Sequence, residues 1–212
     1  MDTENTVKTG TTTVGVKCKD GIVLAADKRA TSGYLIAHKK VLKILEITDR
    51  IAVTTAGTVS DIQLLVKLLQ AETRLKDIRT GQKSSVKEVV SLLGNMVYSN
   101  IRKFSVIPGL SHFIVGGADS HGYHLYDVGA DGSILGVEDY VSSGSGSVMA
   151  YGVLEALYTS DLNAEKAAEL CKKAINAAVQ RDIASGNGID IVVINRDGIK
   201  KLFSKEIIYS IE

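Results

Sequence analysis

The 212 residues and 22.6 kDa suit one domain, or at most two small ones, with enough chain to bury a substantial core. Hydrophobic residues make up 45% and charged ones 23%, with a single Pro against 20 Gly, which excludes disorder and collagen-like repeats. Lys and Arg number 25 against 24 Asp and Glu; a net charge of +1, with 8 Tyr, 3 Phe and no Trp, offers neither the field nor the stacking platforms that nucleic acid or an anionic membrane would require.

Residues 1 to 10, MDTENTVKTG, are polar and aperiodic, so they are expected to be detachable, and they lack the basic and apolar segments of a secretory signal. From Thr11 a β-branched run, TTTVGVKC, meets the turn Asp20-Gly21 and the apolar run IVLAAD, which predicts a hairpin. Leu35-Ile36, the stretch from Val41 to Leu45, and IAVTTAG at 51 to 57 read as further strands. Ser60-Asp61-Ile62-Gln63 fits a capping box, and Ile62, Leu65, Val66 and Leu69, widened by Leu68 and Leu75, predict a long helix before Gly81. A second helix is expected from Ser85, with Val86, Val89, Val90, Leu93 and Met96 on one face, ending near Phe104 and Pro108. Strands return at SHFIVGGAD, YHLYDVG and ILGVEDYVSSG. Helices follow from about Ser147 to Leu157 and from the N-cap Asn163 to about Ala184, and IDIVVINRDGIKKLF closes the chain as a hairpin at Asp197-Gly198.

Two strand blocks, two helix pairs and a final hairpin are not the βαβα alternation of a doubly wound sheet. They predict an α+β fold of one domain: two antiparallel sheets packed together with a helix layer outside each.

Familiar chemistry is missing. GxxxxGK[ST], HExxH and strand-to-helix GxGxxG are absent, and around Ser145 the positions a nucleophile elbow needs as Gly are Ser143 and Ser147. His121 and His124, three apart on what reads as extended chain, are expected on opposite faces and so make no metal site. Cys18 and Cys171 form no CxxC and read as buried small hydrophobes in a reducing compartment. No run approaches the roughly 18 apolar residues of a membrane span, and the expected location is the cytoplasm.

What remains is Gly10-Thr11-Thr12-Thr13-Val14-Gly15, where the polar leader meets the first strand. This segment resembles the β-type subunits of the 20S proteasome, whose mature N-terminus is the threonine of a Gly-Thr-Thr-Thr-Val-Gly sequence. The resemblance runs on through DGIVLAADKRAT, the stretch from Lys39 to Lys43, TTAGTVSD, SSGSGSVMAYGVLE and QRDIASGNGIDI. It implies the four-layer αββα sandwich of N-terminal-nucleophile hydrolases, a leader of residues 1 to 10 removed by autocatalysis at Gly10-Thr11, and a peptidase domain over 11 to 212. It also implies heptameric rings shared with α-type and other β-type subunits, an ATPase unfoldase at the α rings, and unfolded polypeptide as substrate. No cofactor or metal is called for.

The chemistry has its own logic. A threonine hydroxyl is a weak nucleophile without a base, and a free amine on the same residue supplies one; before cleavage that nitrogen is an amide and cannot. Read bare, the segment is equally a Thr-rich edge strand. Lys43, interrupting an apolar pattern, and Asp27, ending one, read bare as solvated strand ends. By resemblance they are a buried pair, with Lys43 aimed at the Thr11 hydroxyl, and either Lys43 or the Thr11 amine takes the proton. The resemblance further assigns Gly57 to the oxyanion hole and Ser145, Asp182 and Ser185 to a network around the Thr11 nitrogen. It assigns Thr31 and residues 57 to 59 to strand edges that hold an extended peptide, and Ala30, Val41, Thr55 and Val59 to the pocket before the cut. Those four are uncharged, which predicts cleavage after apolar residues. A silent ring subunit and a small-amide amidohydrolase are the rival readings.

Overall fold

The computed structural model describes residues 10 to 106 and 108 to 207, so all of the expected leader except Gly10 lies outside the described residues. Strands β1 (Thr13–Cys18) and β2 (Gly21–Asp27) form the expected first hairpin. They are followed by a small two-stranded sheet, β3 (Ala30–Ser32) with β4 (Leu35–His38), then β5 (Ile44–Glu46) and β6 (Ile51–Gly57). Helices α1 (Val59–Thr80) and α2 (Val86–Ile101) lead to β7 (Ser111–Asp119), β8 (Gly122–Val128), β9 (Ile134–Val137) and β10 (Tyr140–Ser143). Helices α3 (Ser147–Leu157) and α4 (Ala164–Val179) precede the closing hairpin of β11 (Gly188–Asn195) and β12 (Gly198–Glu206).

The strands assemble into two antiparallel five-stranded sheets, ordered β10-β1-β2-β11-β12 and β5-β6-β7-β8-β9. Three apolar clusters account for the layering. Val14, Val16, Val23, Ala25 and Ile191 pack against Leu154, Cys171, Ala174 and Ile175 of α3 and α4. Val53, Phe113 and Val115 pack against Leu65, Leu69, Val89, Val90 and Leu93 of α1 and α2. Between the sheets, Ile22, Leu24, Ile114, Leu125, Val141 and Ile194 fill the centre. Alternation along each strand thus sends one set of side chains to the helices and the other to the opposite sheet, and each fully buried aliphatic contributes about 1.5–3 kcal/mol. This is the four-layer αββα arrangement expected from the sequence.

Several boundaries differ. Helix α1 starts at Val59 rather than after a Ser60 cap: Thr58 stands at the cap with no side-chain bond, and its N–H donates to the Leu110 carbonyl at 2.8 Å, so the neighbouring chain sets the entry. Leu68 and Leu75 remain partly exposed on α1 instead of widening its buried face. ILGVEDYVSSG is two strands, one in each sheet; the chain crosses over at Glu138-Asp139, where the Asp139 carboxylate accepts from the Tyr140 N–H at 2.7 Å and the Asp139 carbonyl from Lys17 N–H at 2.7 Å. Helix α4 ends at Val179, short of Ala184, in turns back onto the Ala178 carbonyl. Of the stretch from Val41 to Leu45 only Ile44 and Leu45 are in a strand. His121 sits in the turn before β8, so alternation does not apply to it, and both rings converge on Asp119 Oδ1, His124 Nε2 at 3.1 Å and His121 Nδ1 at 3.6 Å. The cysteines are free and buried, and burial pushes the Cys18 thiol up to about 12. Among the described residues no helix is long and apolar enough to cross a membrane.

One buried ion pair escaped the sequence. Lys28 Nζ lies 2.9 Å from Asp190 Oδ1, with both side chains under 8% exposed, and Ser204 donates to the same oxygen at 2.6 Å. Burial alone would raise the Asp190 pKa, but the bonds from Lys28 and Ser204 and the charges of Lys28 and Lys201 hold the carboxyl below its usual range. A depressed carboxylate stabilises the fold above its unfolded pKa of about 3.9, and that contribution is lost as pH falls through the folded value. Asp190→Asn strands the Lys28 ammonium and is expected to cost about 3–5 kcal/mol at pH 7. In urea unfolding, the gap between wild type and variant should shrink below about pH 4 as wild type loses its own charge.

Candidate active site

The first strands set the geometry. Register pairs Thr13 with Ala26, and the Asp27 N–H continues the ladder to the Thr12 carbonyl at 3.1 Å, so Thr12 and Asp27 face each other where β1 begins and β2 ends. Lys43 lies just before β5, and its ammonium reaches Asp27 Oδ1 at 2.7 Å and Thr11 Oγ1 at 3.0 Å. All three side chains are buried: Thr11 is 6% exposed, Asp27 1% and Lys43 4%. Asp27 is fully engaged, accepting from Lys43 Nζ and Thr12 N–H on Oδ1 and from the Arg29 and Gly186 N–H groups on Oδ2, each between 2.7 and 2.9 Å. A carboxylate held by four donors cannot turn, so it fixes the lysine that it neutralises. Burial pulls the Lys43 pKa below its ordinary value, while the charge and hydrogen bond of Asp27 oppose that pull.

The second half of the site comes from two loops of the other end of the chain. In the turn before α3, Ser145 Oγ accepts from Thr11 N–H at 3.3 Å and donates to Asp182 Oδ2 at 2.6 Å. Ser185 donates to that same carboxylate oxygen at 2.6 Å. With its one hydrogen committed there, Ser185 accepts from Thr12 Oγ1, 2.6 Å away. Gly144 has φ +94°, and a Cβ there would stand 2.1 Å from the Thr11 carbonyl oxygen, so only glycine lets the Ser145 loop close on Thr11.

The Gly10-Thr11 peptide bond is intact, and the Thr11 hydroxyl donates to the Gly10 carbonyl oxygen at 2.5 Å. Gly10 is pressed against the Ala184 backbone, where a Cβ would lie 1.7 Å from the Ala184 Cβ. The arrangement places a hydroxyl, an ammonium on its oxygen and a carbonyl beside it, all buried. Such a set can carry nucleophilic acyl chemistry.

Of the sequence-derived residues, Thr11, Asp27, Lys43, Ser145, Asp182 and Ser185 are thus joined in one hydrogen-bonded cluster. Gly57 ends β6 with φ +133° and borders a cavity with Ser145. Thr55 is tied to Lys43, its N–H donating to the Lys43 carbonyl at 3.0 Å, and Val41 N–H donates to the Lys28 carbonyl at 3.0 Å. Val59 opens α1 and is 52% exposed; Ala30 and Thr31 pair with His38 and Ile36 in the small hairpin. Ala30, Thr31, Val41 and Val59 share no hydrogen bond with the Thr11 cluster among the described residues. The sequence reading missed Thr12, Arg29 and Asn187. Arg29 Nε donates to Asn187 Oδ1 at 2.7 Å and its NH1 to the Ile183 carbonyl at 2.7 Å, which ties the Asp182 loop to the end of β2. Asn187 has φ +61°, and its place in the turn Ser185-Gly186-Asn187-Gly188 was the available signal.

Residues 7 to 194 match the family described as proteasome subunit. Proteins named proteasome subunit beta are similar over nearly the whole chain. The one from Ferroglobus placidus is 47% identical over 93% of this chain and 92% of its own length. Those from Archaeoglobus profundus and Methanobrevibacter ruminantium are 44% and 40% identical, covering 96% and 98% of this chain and 93% and 96% of theirs. With the αββα layers already in place, these likenesses settle the family: the chain is a β-type member of the proteasome subunit family.

Proposed function

We propose that the chain is a catalytic β subunit of the 20S proteasome core, a threonine endopeptidase that cuts unfolded polypeptides in the cytoplasm. The observation that carries the reading is the Lys43 ammonium, buried, anchored on Asp27 and 3.0 Å from the Thr11 hydroxyl oxygen. A subunit that only filled a ring position would gain nothing from a desolvated charge pair aimed at a hydroxyl.

Maturation and turnover then use the same oxygen. Thr11 Oγ attacks the Gly10 carbonyl carbon, the C–N bond breaks, and the Thr11 nitrogen takes the proton to become an amine; water hydrolyses the resulting ester and releases residues 1 to 10. In turnover the freed amine, or Lys43 once it has given up its proton, accepts the hydroxyl proton as Thr11 attacks a substrate carbonyl. The Gly57 N–H stabilises the oxyanion, the departing amine takes the proton, and water cleaves the acyl ester. Ser145, Asp182 and Ser185 hold the Thr11 nitrogen and relay protons to it. Thr31 and residues 57 to 59 bind the substrate backbone as an added strand, while Ala30, Val41, Thr55 and Val59 surround the side chain before the cut. Partners on this reading are α-type and other β-type subunits in heptameric rings, with an ATPase unfoldase feeding the α rings.

The test is intact mass of the chain after assembly with α-type subunits, beside hydrolysis of fluorogenic peptides ending in Leu, Glu or Arg. Loss of residues 1 to 10 and fastest hydrolysis after Leu are expected. An assembled, inert particle that keeps its leader would refute the catalytic reading; a dominant Arg preference would refute the pocket assignment.

A further inference from the structure

At the open end of the space between the two sheets lies a cavity of about 390 Å³ that the chemistry above does not use; its lining includes Gly57, His112, Ala130, Ser143, Ser145 and Ser147. Alternation decides which side chains face it. Ile114, two residues beyond His112 on β7, and Val141, two residues before Ser143 on β10, both pack in the intersheet core, so His112 and Ser143 face that same space from opposite sheets. Ser143 is 4% exposed, and its hydroxyl has no hydrogen-bond partner among the described residues. A buried hydroxyl without a partner is costly, and here an occupant of the cavity can supply one. His112 Nε2 lies 2.6 Å from Asp127 Oδ1, and in the neutral ring that donates there Nδ1 is an acceptor.

The side of the scissile bond follows from the proton's path. Whatever group protonates the departing amine must stand beside it; of the two that the reading above allows, we take the Thr11 nitrogen, 3.3 Å from Ser145 Oγ. Ser145 rims the cavity, whereas Thr55, assigned to the pocket before the cut, is bonded to the Lys43 carbonyl on the β5 side of β6. The departing segment therefore leaves over the cavity.

We infer that this cavity selects the substrate residue immediately after the cut, and that it favours a carboxamide side chain, Gln or Asn, whose NH2 donates to His112 Nδ1 while its carbonyl accepts from Ser143. This rests on the proposed peptidase activity. Leucine leaves both protein groups unanswered, and glutamate offers an acceptor where His112 Nδ1 needs a donor and adds a carboxylate near the one on which His112 is anchored, so both are disfavoured.

The test uses assembled particles and internally quenched peptides that carry Leu before the cut and Gln, Leu or Glu after it, beside a coumarin amide that has no residue there. Wild type should prefer Gln over Leu and Glu by about tenfold in kcat/KM, the scale of one net hydrogen bond. Ser143→Ala and His112→Leu should each flatten that ratio to within about twofold, and His112→Gln, which keeps a polar amide, should retain most of it. Should a variant fail to assemble, the wild-type profile and the N-terminal residues of products from an unfolded protein decide. A flat profile on particles that hydrolyse the coumarin amide, or a preference that survives both flattening substitutions, overturns this inference alone. Particles that cut neither kind of substrate overturn the peptidase reading and this inference with it.

Discussion

Thr11→Ala particles should keep residues 1 to 10 on the chain and hydrolyse fluorogenic peptides at least about 10³-fold more slowly than wild type, while Thr11→Ser should still mature. The expectation follows from the position of a single oxygen. In the intact chain Thr11 Oγ1 lies 2.5 Å from the Gly10 carbonyl oxygen and accepts from Lys43 at 3.0 Å, and alanine removes that atom while leaving Lys43 paired with Asp27. Alanine also removes the γ-methyl of a side chain 6% exposed, a cost of about 1–2 kcal/mol that leaves the sheets and the Lys43–Asp27 pair in place, so an assembled but inert particle is the predicted phenotype. Serine restores the oxygen without the β-methyl that restricts χ1, and a slower maturation of up to about tenfold is expected from the looser hydroxyl. Intact mass and peptide hydrolysis on the same preparation read both effects. Wild-type turnover by Thr11→Ala would end the nucleophile assignment.

How far the sequence alone reaches can be judged from two kinds of residue. The layers were legible because IVLAAD, IAVTTAG and SHFIVGGAD are strongly β-branched and apolar, and because α2 and α4 carry regular apolar faces, Val89, Val90 and Leu93 on one and Ala167, Cys171, Ala174 and Ile175 on the other. The site's members were legible mainly through resemblance, since burial inverts the usual hydropathy rule there. Leu42 is 64% exposed while its neighbour Lys43 is 4% exposed, the reverse of what a solvated strand end predicts. Asp190 gave no warning at all, being one acid within the apolar run IDIVVI, because its partner Lys28 is 162 positions away in sequence and only the pairing of β2 with β11 brings them together. Long-range register of this kind leaves no local periodicity to read. His112 and Ser143 belong to the same class, since they meet only where two sheets, not two neighbouring strands, come face to face.

The Lys43 and Asp27 pair gives the largest separation between stability and activity. Asp27→Ala alone should destabilise the chain by about 3–5 kcal/mol, because it leaves a buried ammonium unpaired and three N–H groups without their acceptor. Lys43→Met with Asp27→Asn removes both charges and keeps one carbonyl oxygen for the Arg29 and Gly186 N–H groups, leaving only the Thr12 N–H without an acceptor, and should cost about 1–3 kcal/mol, less than Asp27→Ala. The pH dependence has a definite sign. Burial sets the folded Lys43 pKa below its unfolded value, so between those two values the unfolded chain holds the extra proton and wild-type stability rises with pH. Burying Lys43 in its charged form therefore costs the fold, and the double variant should lose that rise with pH in urea unfolding. Both Asp27→Ala and the double variant should retain the leader and lose peptide hydrolysis by about 10²–10³-fold, the scale of one removed electrostatic stabiliser. A double variant that is stable and still matures normally would show that the pair serves packing, and the role proposed for Lys43 would fall.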